Sequence, residues 1–141
     1  MSITALIPAR KGSKGIPNKN ILSYKGEPLI VHSIRHALSS NLIDNVFVST
    51  DCPQIAAIAR DHGAFAEYLR PVDLSLDETL DYPVFDFHIQ YLQSLSMPLP
   101  KLFVHLRPTA PDRPLNLIDS CITKLINTPT ASAIRTVNLI N

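Results

Sequence analysis

The sequence contains no tryptophan, four glycines and two cysteines in 141 residues. Only 6% of its residues are aromatic, which leaves little material for a surface that stacks nucleic-acid bases. Cys52 and Cys121 lie far apart and outside any C-x-x-C pair, which excludes a disulfide framework and a cysteine-rich metal site. No apolar run approaches the roughly 18 residues that a membrane-spanning helix needs. The net charge of +1 gives no electrostatic case for binding nucleic acid.

The N-terminus lacks the charged start and the long apolar stretch of a secretory signal. We therefore expect a cytoplasmic protein that acts on neither nucleic acid nor a membrane. With 45% hydrophobic residues, the chain is long enough for one compact domain and short for two. We expect residues 1–141 to form that single domain.

The first 26 residues contain no acidic side chain, although they carry five of the thirteen basic residues: Arg10, Lys11, Lys14, Lys19 and Lys25. Gly12 and Gly15, half of the glycines, lie in this segment. Glycines let backbone N–H groups approach an anion, and neighbouring cations neutralise its charge. The spacing fits neither a Walker A loop nor G-x-G-x-x-G. Composition alone thus leaves two interpretations open, a phosphate-binding loop and a solvated basic loop.

Short apolar segments alternate with segments of helical periodicity, which predicts an α/β fold with a mainly parallel sheet and helices on both faces. The predicted strands are Ser2–Ile7, Asn45–Ser49, Ala64–Tyr68, Leu102–Leu106 and Ala131–Val137. The predicted helices are Pro28–Ser39, Pro53–His62, Thr79–Ser94 and Leu115–Asn127.

Polar clusters follow the predicted strands, at residues 10–20, 49–51, 70–77 and 107–113. In parallel sheets, ligands bind beyond the carboxyl ends of the strands. We therefore expect these four loops to meet at one edge of the sheet and to form the site there.

Residues 7–21, IPARKGSKGIPNKNI, resemble the N-terminal signature of the CMP-sialic acid synthetase family (acylneuraminate cytidylyltransferases), I-x-A-R-x-G-S-K-G-[IL]-P-x-K-N-[IL]. Further family motifs are matched in order along the chain, by GEPLI at 26–30, VSTD at 48–51, RPVDLSLD at 70–77, LRPTAPDR at 106–113 and ASAIRTV at 131–137. The resemblance implies a Rossmann-like, three-layer αβα nucleotide-diphospho-sugar transferase fold. Because family members are commonly longer, we expect this chain to be the C-terminally incomplete, nucleotide-binding part of a longer cytidylyltransferase.

The resemblance also implies the reaction. The anomeric hydroxyl of an acidic nine-carbon sugar attacks the α-phosphate of CTP, and pyrophosphate leaves. Such a transfer depends on charge stabilisation and in-line positioning. The family implies CTP and the sugar acid as partners, Mg²⁺ as cofactor and a homodimer for the complete protein. Its metal-binding Asp-x-Asp pair is absent from residues 1–141, so we expect the metal ligands beyond Asn141.

The resemblance assigns roles to particular residues. Arg10 and Lys19 are the predicted catalytic cations on the triphosphate. The predicted nucleotide-binding residues are Arg10, Gly12, Ser13, Lys14, Gly15, Lys19, Asn20, Arg70, Asp77 and Thr79. Within that set, Asn20 and Arg70 are expected to hold the nucleoside, with residues 77–81 near the cytosine and ribose. Arg107 and Thr109 are predicted to contact the sugar acid.

Arg107 stands where neuraminate enzymes commonly have glutamine, and L-R-P-T resembles the branch that acts on legionaminic or related nonulosonic acids. A guanidinium there suits either bidentate pairing with the sugar carboxylate or bracing of an N-acyl group. The alternative is that Arg107 pairs with Asp112 and braces its own loop. Asp112 itself replaces the family's usual leucine.

Several other polar residues have less specific interpretations. Asp51 faces the nucleotide or caps the following helix. His32 and His36 have i, i+4 spacing compatible with a metal, but surface or packing roles are favoured. His88 and His105 are expected to be packed residues rather than general bases. The acidic positions 73, 77, 78 and 81 are expected to form a solvated loop, with attraction of a cation as the less favoured alternative.

Three alternatives to the sialic acid synthetase interpretation remain. One is a related nucleotidyltransferase of the Kdo-activating type, although the Arg107 loop differs from the acidic loop of that type. The second is a non-catalytic module that binds a nucleotide. The third is a basic loop that binds another polyanion, which the tight glycine and proline spacing disfavours.

Overall fold

A computed structural model describes residues 2–12 and 15–137. The strands are β1 (Ile3–Pro8), β2 (Ser23–Tyr24), β3 (Glu27–Pro28), β4 (Asn45–Ser49) and β5 (Leu102–His105). The helices are α1 (Leu29–Leu38), α2 (Pro53–Asp61), α3 (Asp81–Ser94) and α4 (Leu117–Ile126), with 3₁₀ turns at Lys19–Ile21 and Val72–Leu74. The main sheet has the order β4-β1-β5, and both pairings are parallel.

Helices cover both faces of this sheet, as the alternation predicted. Side chains alternate along β1, so that Ala5 and Ile7 pack with α1 and α2 while Leu6 packs with Leu92 of α3 on the other face. Leu6 and Ile7 are fully buried, and burying such a side chain stabilises the fold by roughly 1.5–3 kcal/mol. The predicted α/β fold with a mainly parallel sheet is confirmed.

The sequence signals for helix ends agree with the structure. Pro53 occupies the first turn of α2, where its missing N–H costs no hydrogen bond. Gly63 lies just beyond that helix with φ +94°, a left-handed conformation that favours glycine. A Cβ at this position would also meet Leu38 Cδ1 at 3.2 Å.

Two predicted strands are wrong. Residues 64–68 form no continuous ladder: Phe65 makes an isolated parallel bridge with Phe47 of β4, and a second bridge joins Leu69 to Thr50, just beyond both segments. Residues 131–137 are exposed and form no strand. A strand is stabilised by a neighbouring backbone and a buried face, and residues 131–137 have neither in the described structure.

A short hairpin connects the first loop to α1, and its strands were not predicted. Lys25 and Gly26, both with positive φ, make a two-residue turn between β2 and β3. Within residues 2–12 and 15–137, no helix is long and apolar enough to cross a membrane.

Candidate nucleotide-binding cleft

A cleft of about 320 Å³ opens beyond the carboxyl ends of β1 and β5. Eight of the predicted site residues line it: Arg10, Gly12, Lys19, Asn20, Arg70, Thr79, Arg107 and Thr109. Seven of these residues come from three of the four loops that were expected to meet at this edge, and Thr79 lies just before α3. The fourth loop contributes Asp51, which accepts a hydrogen bond from the Lys11 N–H at 2.7 Å and so supports the first loop.

Three of the predicted nucleotide-binding positions are residues 13–15 of the first loop. Ser13 and Lys14 lie outside the described residues. Gly15 is exposed with φ +90° and does not line the cleft, so its observed contribution is a left-handed turn in the loop.

The first loop brings cations to one side of the cleft. The Arg10 carbonyl accepts a hydrogen bond from Asn20 Nδ2 at 2.9 Å, which fixes the backbone beside the guanidinium. The Arg10 guanidinium pairs with the carboxylate of Asp77, which the sequence placed among the nucleotide-binding residues. Asp77 therefore does not line the cleft itself. It contacts Arg10, which does.

Arg70 is buried at the back of the cleft, with 5% of its surface exposed. Its guanidinium donates to the carbonyls of Leu74 (3.0 Å) and Ser49 (3.4 Å), whereas its Nε has no partner among the described residues. Desolvation lowers the Arg70 pKa, and the nearby Asp51 carboxylate opposes that change. A buried guanidinium held by carbonyls retains its positive charge for a ligand in the cleft.

The opposite side of the cleft carries a second arginine–aspartate pair. Arg107 Nη2 lies 2.8 Å from Asp81 Oδ2, and His105 Nδ1 lies 3.9 Å from the same oxygen. The alternative pairing of Arg107 with Asp112 is wrong, because Asp112 accepts hydrogen bonds from the Tyr24 hydroxyl and from Lys25 Nζ, the latter at 2.9 Å. Both partners of Asp112 belong to the hairpin.

His105 lines the cleft as well as packing against Phe85, with a ring separation of 5.0 Å. Burial lowers the His105 pKa, and the Asp81 carboxylate opposes the shift. The sequence predicted the packing and missed the position in the cleft, although His105 directly precedes the loop that carries Arg107.

The acidic positions also differ from expectation. Asp77 and Asp81 form ion pairs with arginines, so the prediction of a merely solvated acidic loop is wrong for these two residues. Asp51 does not cap α2, whose N-terminus has no side-chain cap. It supports the first loop instead, through the Lys11 N–H.

The other histidines have the structural roles that were favoured. His32 Nε2 lies 2.7 Å from the Tyr24 carbonyl, and His36 Nδ1 lies 3.1 Å from an Arg113 nitrogen. His88 is fully buried, bonds to the Tyr68 hydroxyl at 2.8 Å and has its pKa lowered by burial to about 4.

The described residues do not fit a magnesium site. They contain no group of three or more histidine, cysteine or carboxylate side chains placed to hold a metal ion. Asp81, which lines the cleft, and Asp77, beside Arg10, are both paired with arginines. The prediction of metal ligands beyond Asn141 lies outside the described residues and stays a prediction.

Comparison with known proteins identifies the family. A family model described as cytidylyltransferase matches residues 4–96, about two thirds of the chain. The chain belongs to the cytidylyltransferase family. The matched region contains the loop after β1, Arg70 and the start of α3. The resemblance noted in the sequence is thereby confirmed at the level of the family.

Curated relatives carry names of sugar-acid cytidylyltransferases. The chain is 40% identical over 114 residues to CMP-N,N'-diacetyllegionaminic acid synthase of Legionella pneumophila, covering 80% of this chain and 48% of that protein. It is 36% identical over 129 residues to pseudaminic acid cytidylyltransferase of Campylobacter jejuni, covering 89% and 54%. It is 40% identical over 111 residues to N-acylneuraminate cytidylyltransferase of Escherichia coli, covering 79% and 25%. The chain thus spans about half, or less, of these relatives.

Solved structures share the fold at lower identity. A CMP:2-keto-3-deoxy-manno-octonic acid synthetase complexed with CTP matches with a TM-score of 0.71 and 20% identity, over 92% of this chain and 49% of that one. A cytidylyltransferase from Leptospira borgpetersenii matches with a TM-score of 0.68 and 18% identity, over 92% and 51%. These likenesses support the Rossmann-like α/β fold.

Proposed function

We propose that this chain is the nucleotide-binding part of an enzyme that transfers CMP from CTP to the anomeric hydroxyl of an acidic nine-carbon sugar and releases pyrophosphate. The observation that carries the proposal is the convergence of cations from three loops on one cleft: Arg10 and Lys19, Arg70, and Arg107. Family membership and the names of the relatives support the same reaction.

The first loop suits the triphosphate. Arg10 and Lys19 line the cleft beside the backbone of Gly12, which carries no side chain to block an approaching phosphate. The ion pair between Arg10 and Asp77 is partly exposed, and such pairs contribute little stability. A triphosphate carries more negative charge than one carboxylate, so it displaces Asp77 from Arg10 at small cost.

The chemical step forms a bond between the sugar oxygen and the α-phosphorus and breaks the bond from that phosphorus to the oxygen bridging to the β-phosphate. The hydroxyl proton of the attacking oxygen passes to solvent water, and the displaced electron pair leaves on pyrophosphate. In this step, Arg10 and Lys19 stabilise charge on the phosphate oxygens. Arg70 supplies a desolvated cation at the back of the cleft for the nucleotide.

Arg107 suits the sugar carboxylate on the opposite side. Its pair with Asp81 leaves the Arg107 side chain about two thirds exposed, within reach of a ligand in the cleft. An acidic sugar that displaces Asp81 exchanges one carboxylate for another, while a neutral sugar leaves the pair in place. Thr109 lines the same side of the cleft.

The proposal is tested on the full-length protein by measuring pyrophosphate release with CTP and one acid at a time. The acids are N-acetylneuraminic, legionaminic and pseudaminic acids and the eight-carbon acid Kdo. We expect CTP-dependent release with at least one nine-carbon acid. Release with Kdo alone would favour the Kdo-activating alternative, and CTP binding without any release would favour a non-catalytic module. Magnesium dependence, a homodimer and a cytoplasmic location stay predictions.

A further inference from the structure

Three hydrogen-bond donors converge on the backbone carbonyl of Arg107. Arg113 Nη2 donates to it at 2.7 Å, the Ala110 N–H at 3.1 Å and the Ser33 hydroxyl at 3.3 Å. Ser33 is a fully buried residue of α1. The backbone of Arg107 is therefore tied both to its own loop and to a helix that is packed in the core.

Arg113 links these two anchors. While its Nη2 holds the Arg107 carbonyl, its Nη1 donates to Ser33 Oγ at 2.9 Å and lies 3.1 Å from His36 Nδ1. We call the contacts among Arg113, Ser33, His36 and the Arg107 carbonyl the Arg113 bridge. It joins the loop after β5 to two residues that lie three positions apart on α1.

The partners of Arg113 in the described structure are all uncharged at neutral pH. Burial lowers the Arg113 pKa. Among the described residues, no carboxylate lies within ion-pair distance of the Arg113 guanidinium. A salt bridge therefore does not explain its position. The planar fork of the guanidinium does, because it presents several N–H groups at fixed angles and bonds to the helix and the loop at the same time.

We propose that Arg113 is the positioning residue for Arg107, and that the Arg113 bridge sets how well the site recognises the acidic substrate. The inference rests on the proposed function. The bridge fixes the Arg107 carbonyl by hydrogen bonds, and Asp81 forms an ion pair with the Arg107 guanidinium. Fixing the backbone before the ligand arrives reduces the ordering cost of binding a carboxylate.

The principal test is Arg113→Lys in the full-length protein. Lysine keeps the charge, but its single nitrogen cannot reproduce both arms of the fork. We expect the KM for the sugar acid to rise by up to about fivefold, while the KM for CTP stays within about twofold. Ser33→Ala, a small change in a buried position, is expected to raise the KM for the sugar acid by a smaller factor.

The matched control is Arg60→Lys. Arg60 also donates from Nη1 to a backbone carbonyl, that of Ala66 at 2.7 Å, but it lies on α2 and does not line the cleft. This substitution should leave both KM values unchanged. Equal increases for CTP and the sugar acid in Arg113→Lys, or no increase in either, would overturn the inference.

Amide hydrogen exchange at Ala110 gives a readout that does not require activity. The Ala110 N–H bonds to the Arg107 carbonyl, so loss of the bridge should speed its exchange about tenfold in Arg113→Lys and leave the β1 amides unchanged. Unchanged exchange at Ala110 would overturn the inference even in an active enzyme. If the wild-type protein releases no pyrophosphate with any acid, the proposed function fails, and the exchange measurement still decides whether Arg113 holds Arg107.

Discussion

The loop after β1 and the loop after β5 approach the same cleft from neighbouring strands, but their side chains are arranged differently. In the first loop, Lys11, Gly12 and residues 15–18 are exposed. In the second, Pro108 is buried and Arg113 is half-buried, and Asp112 and Arg113 attach the loop to the hairpin and to α1. Both loops present an arginine that is paired with an aspartate from residues 77–81.

The difference matches what each loop is proposed to bind. A triphosphate offers many oxygens, and it is bound by several cations and backbone N–H groups whose exact directions matter less. A single sugar carboxylate is recognised by the direction of one guanidinium, which requires a fixed backbone. We interpret the first loop as a charge site and the second as an oriented site. The predictions below separate the two.

The largest effect is expected at the charge site, the loop after β1. Arg10→Ala and Lys19→Ala should each weaken CTP binding or turnover by about tenfold or more, since each removes a cation from the phosphate oxygens. Arg35→Ala is the matched control, because Arg35 is also an arginine in a surface ion pair, with Glu27, but lies outside the cleft. Kinetics close to wild type for both cleft variants would remove the phosphate assignment.

A smaller effect is expected at the oriented site, the loop after β5. Arg107→Gln replaces a charged donor by a neutral one, which should lower the affinity for the preferred sugar acid about fivefold and change the ranking of acids. The affinity for CTP should stay within about twofold. The measurement is kcat/KM for each acid at saturating CTP. A loss of CTP affinity with an unchanged ranking of acids would show that the triphosphate and the sugar acid have been assigned to the wrong loops.

Asp81→Asn should act in the opposite direction. It removes the carboxylate that competes with the substrate for Arg107, so the affinity for the sugar acid should increase about two- to fivefold, in keeping with the strength of an exposed ion pair. Asp73→Asn, at an exposed acid away from the cleft lining, should have no effect. A decrease in affinity for Asp81→Asn would mean that Asp81 itself helps to bind the substrate.

The smallest effect is a pH dependence of the affinity for the sugar acid, which is bound at the oriented site. His36 Nδ1 must be unprotonated to accept a hydrogen bond from Arg113, and burial followed by the charges of Arg113, His32 and Arg35 lowers the His36 pKa, against an opposing contribution from Asp112. Because the folded pKa lies below the usual 6.5, the contact is complete at neutral pH. It is lost as the pH falls through that lowered pKa.

The affinity for the sugar acid should therefore decrease on acidification by about twofold more in the wild type than in His36→Gln, whose amide oxygen accepts at every pH. CTP affinity should show no difference between these two proteins. Identical pH profiles for the sugar acid would contradict a role of His36 in the bridge.

Much of the fold could be predicted because local patterns determine it. The strand Asn45–Ser49 was predicted with its observed bounds, and α2 was predicted to within one residue, because Pro53 and Gly63 mark its ends. The segments at 64–68 and 131–137 were wrong because their composition permits a strand, while strand formation depends on which backbone lies alongside.

In the candidate site too, residues that are close in the sequence were predicted, while contacts between distant segments were missed. The cations of the first loop were found because they are adjacent in the sequence and belong to a long motif. The Arg113 bridge was missed because Arg113 and Ser33 are 80 residues apart, and no spacing rule connects them. The sequence placed Asp81 in an acidic segment and in the stretch near the cytosine and ribose. It did not place Asp81 beside Arg107, because that pairing arises from the position of α3 beside β5.

The most direct test of the central claim is calorimetric titration of the full-length protein with CTP, with ATP and GTP as controls and Arg10→Ala as the site variant. We expect binding of CTP in preference to both purine nucleotides, weakened about tenfold or more by Arg10→Ala. A folded protein that binds none of the three, or binds all three equally, would contradict it.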